Sequence, residues 1–146
     1  MSVPLDPEAF ARKLGEWAPG TMIGSHGTRF VSAGEGRAVA ELDFKPSLSQ
    51  LTGRFHAGAI VALADETATA AAMWETNPTG VLRPELFPLT LQLSVNLIGN
   101  TGAGTIRAEA QIVHRGRTTL VIEVKVRDDK GKLVASLVAT QLVPTG

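Results

Sequence analysis

Apolar and polar positions follow two rhythms along this chain. Near the N-terminus Phe10, Leu14 and Trp17 recur at helical spacing. Asp6 ahead of them is a capping residue, Pro7 suits the first helical position, and Glu8 complements the helix dipole. Ala18-Pro19-Gly20 ends that helix. Residues 28–32 and 37–44 then read as two strands joined by a turn at 33–36. A polar loop, 46–54, leads into the one long helix candidate, 56–75, which is rich in Ala and Leu and has no internal Pro. Ile60, Val61, Leu63, Ala68, Ala71 and Met73 put apolar groups on nearly every face of it, the mark of a buried helix.

Beyond a Pro-rich loop at 77–88, four further strand segments follow, at 89–98, 105–114, 118–127 and 133–142. The connections at 99–102, 115–117 and 128–131 are hairpin turns or bulges, too short for parallel crossovers, so these neighbours must pair antiparallel. The predicted architecture is α+β and a single domain over 1–146. A bent antiparallel sheet of five or six strands wraps around one long central helix, with an extra helix at the N-terminus.

Composition narrows the class. With 146 residues, 44% apolar and 19% charged, the chain can bury one real core. Its formal net charge of zero supplies no basic field for nucleic acid or an anionic membrane. The absence of cysteine removes disulfides, thiolate nucleophiles and Cys-bound zinc. The start Met1-Ser2-Val3-Pro4-Leu5-Asp6 lacks a basic, apolar signal segment, and the most apolar stretch is broken by Asp65 and Glu66. A soluble, cytoplasmic protein is expected, with no nucleic-acid or membrane partner.

The candidate chemistry centres on the long helix. Asp65 is a carboxylate among Leu63, Ala64, Ala68 and Ala72, where burial without partners costs several kcal/mol. Two readings are open: a wet or loop-paired rim residue, or a base or nucleophile held at a cleft. Glu66 points ~100° away around the helix, so the two carboxylates do not face each other. Thr69, one turn on from Asp65, either orients a water or leaving group or bonds its own helix carbonyl. His56, Ala57 and Gly58 lie where free N–H groups and the helix dipole would stabilise an oxyanion, although every helix start has such groups. His56 alone also fits a plain capping role. The glycine-rich run 99–104 lacks the Lys-Ser/Thr of a phosphate loop and reads as a turn. His26, His56 and His114 are scattered without metal-ligand spacing, and no G-x-S-x-G elbow is present.

The segment F-H-A-G-A-I-V-A-L-A-D-E-T-A-T-A-A-A, and more loosely H-R-G-R-T-T-L-V-I-E-V-K-V-R-D-D-K-G-K-L-V-A, resembles hotdog-fold acyl-CoA thioesterases. The nearest group is the phenylacetate-pathway and 4-hydroxybenzoyl-CoA type, and the likeness spans about 31–143. The resemblance implies hydrolysis of a small or medium acyl-CoA, aromatic ones included, with no cofactor beyond the CoA of the substrate and no metal. It implies that Asp65 is the catalytic carboxylate, that the Ala57 N–H polarises the thioester carbonyl, and that Gln50 helps hold the nucleophile or carbonyl. Thr69 and Thr90 match hydroxyl positions near the reacting centre, Thr90 coming from across a subunit interface. Arg115 and Arg117 fall where CoA phosphates can be met, and His56 and Gly58 flank the oxyanion position. A homodimer or homotetramer with sites between protomers is implied as well. Ala57 departs from the usual glycine, which costs nothing if the residue is helical and ~1–2 kcal/mol if it must be left-handed. The competing readings are a non-catalytic acyl-CoA sensor on the same fold and a hotdog hydratase. The hydratase needs an Asp-x-x-x-x-His pair, and the position in question is Ala70.

Overall fold

The computed structural model describes residues 2–144. Helix α1 (Pro7–Trp17) opens the chain, with the Asp6 carboxylate accepting the Ala9 N–H. A short helix, α2 (Met22–His26), leads into β1 (Arg29–Gly34) and β2 (Arg37–Asp43). The central helix α3 (Ala57–Thr76) is followed by β3 (Leu89–Leu97), β4 (Thr105–Arg115), β5 (Thr119–Arg127) and β6 (Leu133–Leu142). Single 3₁₀ turns at Pro46–Leu48 and Pro84–Leu86 punctuate the two long loops. Neither these turns nor α2 was expected from the sequence. Each is about one turn long, too short to show a periodicity.

All six strands join one antiparallel sheet in the order β1-β2-β4-β5-β6-β3. Because α3 sits between β2 and β3 in sequence, it carries the chain from one side of the sheet to its far edge. Alternation fixes which face meets the helix. Ile106, Ala108, Ala110 and Ile112 of β4 point inward with Leu120, Ile122, Val124 and Val126 of β5, while Arg107, Glu109, Glu123 and Lys125 face out. Many inward positions are alanine, among them Ala38, Ala40, Ala108, Ala135 and Ala139, and they meet Ala64, Ala68, Ala71 and Ala72 of α3. Small residues on both surfaces let the helix nest close to the sheet and keep it dry on most of its circumference. This is the expected hotdog arrangement, an α+β fold with an added N-terminal helix.

The turn between β1 and β2 is tight. Glu35 (φ 56°) and Gly36 (φ 83°) both adopt left-handed backbone, as a two-residue hairpin loop with the twist of its strands requires. Glycine accepts this freely; glutamate does so under strain. Further on, the 99–104 turn is a strut instead of a ligand loop. The Asn100 side-chain amide donates to the Phe55 carbonyl (2.8 Å) and the Phe55 N–H donates to the Thr101 carbonyl (3.0 Å), which fixes the chain as it enters α3.

Candidate active site

Asp65 lies half-buried on α3, and the Thr90 hydroxyl donates to its Oδ1 at 2.7 Å. Its Oδ2 receives no hydrogen bond among the described residues. Thr90 stands at the start of β3, beside a register shift between Thr90 and Gln92, and it belongs to the same chain as Asp65. The expected contribution of Thr90 from across an interface is therefore corrected: antiparallel pairing with β6 carries β3 past its own α3. Thr69 is on the same face of α3. Its hydroxyl does not bond the helix carbonyl one turn back, as Thr67 does to Leu63 at 2.6 Å; it accepts a hydrogen bond from Gln141 at 2.9 Å.

In front of these groups opens a cavity of about 400 Å³. Leu14 and Trp17 of α1, Ile23 of α2, Phe30 of β1 and Met73 of α3 form its apolar wall, and Leu82 and Phe87 of the Pro-rich loop close it. Asp65, Glu66, Thr69 and Thr90 are among its polar members. The volume suits a small or medium organic group. The N-terminal helix, outside the family resemblance, is thus part of the pocket. Asn77 holds the closing loop, its Oδ1 accepting the Arg83 N–H at 2.8 Å.

Glu66 takes a different path from Asp65, as its helical position requires. Its Oε1 accepts the Thr28 hydroxyl (2.7 Å), and its Oε2 lies 3.8 Å from His26 Nδ1, a buried nitrogen with no hydrogen-bond partner among the described residues. Burial pushes the Glu66 carboxyl up to about 7; the Thr28 hydrogen bond pulls against this and the charge of Asp65 adds to it. Near neutral pH a proton is shared between populations at this position.

The helix start is organised around His56. Its Nδ1 accepts the Gly58 N–H at 2.8 Å, which requires the proton on Nε2. A Cβ at Gly58 would stand 2.9 Å from that nitrogen, so glycine there is what lets the imidazole fold back. The plain capping reading of His56 is the one realised, and the Gly58 N–H is spent on it. Ala57, the first helical residue, keeps an N–H with no partner among the described residues, and its φ is not left-handed. The methyl group therefore carries no backbone strain, and the N–H stays as open as a glycine's would be.

Two sets of expected site residues do not meet Asp65 in one chain. Ala57 and Asp65 are eight residues apart on α3, ~12 Å of axial rise. Gln50 lies at the same end as Ala57, its Oε1 accepting the Thr52 hydroxyl at 2.7 Å. At the opposite end of α3, Arg115 Nε donates to Glu75 Oε1 at 2.5 Å, so this guanidinium is already paired. Arg117, in the β4–β5 turn, is exposed and has no ion-pair partner among the described residues. Gln141 was not anticipated, although a signal for it existed: it occupies the inward row of β6 after Ala135, Leu137 and Ala139. A polar side chain at a core position asks for partners.

Among the described residues no cluster of three His, Asp or Glu side chains is placed to hold a metal ion, and no helix is long and apolar enough to cross a membrane. The model of the thioesterase superfamily matches residues 52–135. A protein called putative esterase from Deinococcus radiodurans is 31% identical over 132 residues, covering 88% of this chain and 79% of that one. The 1,4-dihydroxy-2-naphthoyl-CoA hydrolase of Listeria monocytogenes is 30% identical over 108 residues, covering 74% and 83%. Among solved structures, a Streptococcus mutans protein bound to acetyl CoA superposes with a TM-score of 0.69 at 25% identity, covering 80% of this chain and 87% of that one. With the family model spanning more than half of its length, and the hotdog fold around a pocket-facing aspartate, the chain belongs to the thioesterase superfamily and is a thioester hydrolase.

Proposed function

We propose that the protein hydrolyses acyl-CoA thioesters of small or medium acyl groups, aromatic ones included, releasing the free acid and CoA. The observation that carries this reading is Asp65 itself: a half-buried carboxylate at the polar end of an apolar cavity, one oxygen held by Thr90 and the other unengaged. The naphthoyl-CoA hydrolase relative and the acetyl-CoA-bound structure support CoA as the thiol carrier.

The separation of Ala57 from Asp65 favours a site built by two copies. A thioester carbonyl that meets Asp65 of one chain needs its oxyanion donor from elsewhere, and a second α3 start supplies the free Ala57 N–H. Gln50 arrives with it. Edge strand β3, with Leu89, Leu91 and Leu97 exposed, offers the surface on which a second copy would pack. In this arrangement Asp65 takes the proton of an attacking water, or attacks the carbonyl carbon directly. The partner's helix start holds the developing oxyanion, the C–S bond breaks, and CoA leaves as the thiol after protonation; on the direct path water then cleaves the anhydride formed on Asp65 and frees the acid.

Two variants test it together. Asp65→Asn should abolish thiol release from an acyl-CoA panel with folding intact. Ala57→Pro should lower kcat by roughly 10²–10³-fold. Proline suits the first helical position and the extended backbone of His56 before it, so this change deletes one N–H and little else. Near-wild-type turnover by Asp65→Asn would end the proposal. Tight binding of CoA esters without thiol release by the native protein would favour an acyl-CoA sensor.

A further inference from the structure

Gln141 is fully buried on the inward face of β6, among alanines, leucines and valines. Its Nε2 donates to the Thr69 hydroxyl (2.9 Å) and to the Thr90 hydroxyl (3.3 Å), while its Oε1 is buried with no hydrogen-bond partner among the described residues. An unsatisfied buried carbonyl oxygen costs about 1–3 kcal/mol. Turning the amide over would put Nε2 and its two protons in that unpartnered place, and the reason for the observed orientation lies with the two hydroxyls.

Counting protons supplies it. Thr90 has one hydroxyl proton, and the 2.7 Å contact with Asp65 Oδ1 uses it. Towards Gln141 the Thr90 oxygen can then only accept, which demands an N–H on that side. The second Nε2 proton goes to Thr69, whose oxygen likewise becomes an acceptor. The proton of Thr69 has no acceptor among the described residues, and Thr69 lines the cavity. One amide therefore sets the polarity of two hydroxyls. Thr90 is committed to Asp65, and Thr69 is left as a donor facing the substrate.

We propose that Gln141 is a positioning residue: through Thr90 it fixes the rotamer of Asp65, and through Thr69 it presents a hydrogen-bond donor to the acyl group or the attacking water. This rests on the reading of Asp65 as the reacting carboxylate. The orphaned Oε1 is the cost of that polarity; in the reverse orientation two N–H donors would be orphaned instead.

Gln141→Met keeps the volume and removes both donors. It should lower kcat roughly 10- to 100-fold, because small displacements of a reacting group cost that much, and leave KM within about twofold. Gln141→Glu is nearly isosteric and reverses the polarity in a pH-dependent way. Protonated, its carboxyl keeps one donor; ionised, it has none, competes with Asp65 for the Thr90 proton, and repels Asp65. The variant should lose activity as pH rises, on an alkaline limb absent from the wild type and from Gln141→Met, both of which keep Asp65 and Glu66 in the cavity. A buried carboxylate at 141 would repel Asp65 whatever the role of Gln141, so Gln141→Met decides: a side chain that only filled space would leave it at wild-type kcat. Turnover of Gln141→Met within about twofold of wild type would overturn the proposal.

A readout that needs no turnover separates this idea from the function on which it rests. In crystals the wild type should keep Thr90 Oγ1 within hydrogen-bond distance of Asp65, whereas Gln141→Met should show the Asp65 carboxylate in another rotamer or in more than one. The same single Asp65 rotamer in both proteins overturns the relay. A changed rotamer in the variant, together with no hydrolysis of any acyl-CoA by the wild type, upholds the relay and sinks the acyl-CoA reading of the site.

Discussion

Glu66 and Asp65 are consecutive residues with opposite environments, and pH should separate them. The Glu66 carboxyl, pushed up to about 7 by burial against an ordinary value of 4.5, binds a proton in the folded chain that the unfolded chain has already released. Its contribution to stability is fully present below pH ~4.5 and is lost as pH rises through about 7. The range amounts to about 3 kcal/mol as an upper bound. Urea denaturation of wild type and Glu66→Gln should therefore diverge with rising pH, the variant becoming relatively more stable by pH 8. Parallel curves would show that the carboxyl is solvated. At this scale the sequence was partly legible. Asp65 stood out as a charge on a buried helix, and the ~100° offset of Glu66 followed from helix geometry. What Glu66 meets at that offset, Thr28 and His26, depends on how α2 and β1 close over the helix, and no local pattern carries that. Gln141 was visible as a break in an apolar row, but its partners Thr69 and Thr90 lie 72 and 51 positions away.

Among elements, the start of α3 is where local chemistry decides most. His56 caps the helix through Nδ1, so His56→Ala should cost about 1 kcal/mol in unfolding free energy, whereas His56→Asn should recover it. Because capping is the role seen, His56→Asn should also keep thiol release within severalfold of wild type, and a much larger loss would give the ring a chemical task. The long helix and the strands were legible within one or two residues, since 3.6-residue and two-residue rhythms persist over many turns or pairs. The five-residue α2, with Gly24 inside it and Gly27 at its end, offers a single turn and no rhythm. The purpose of α1 was hidden for another reason. Its amphipathic stripe announces burial, but whether Leu14 and Trp17 meet only the core or also a cavity is decided by the Pro-rich loop opposite.

For the whole molecule, the order β1-β2-β4-β5-β6-β3 leaves an apolar edge strand beside Asp65 and puts Ala57 two turns away from it. The sequence displayed both residues within one motif, which hid their distance; the rise of a rigid helix separates them. If two copies pair, each α3 lends its start to one centre and its aspartate to the other, so every centre is owned jointly by two gene products. Inactivity then becomes a property of combinations. Asp65→Asn and Ala57→Pro, each dead or nearly so alone, would on mixing form hybrid pairs in which one centre collects both lesions and the other receives neither. Unfolded together and refolded at equal ratio, two silent proteins should restore about a quarter of the wild-type turnover, the share expected for random twofold pairing.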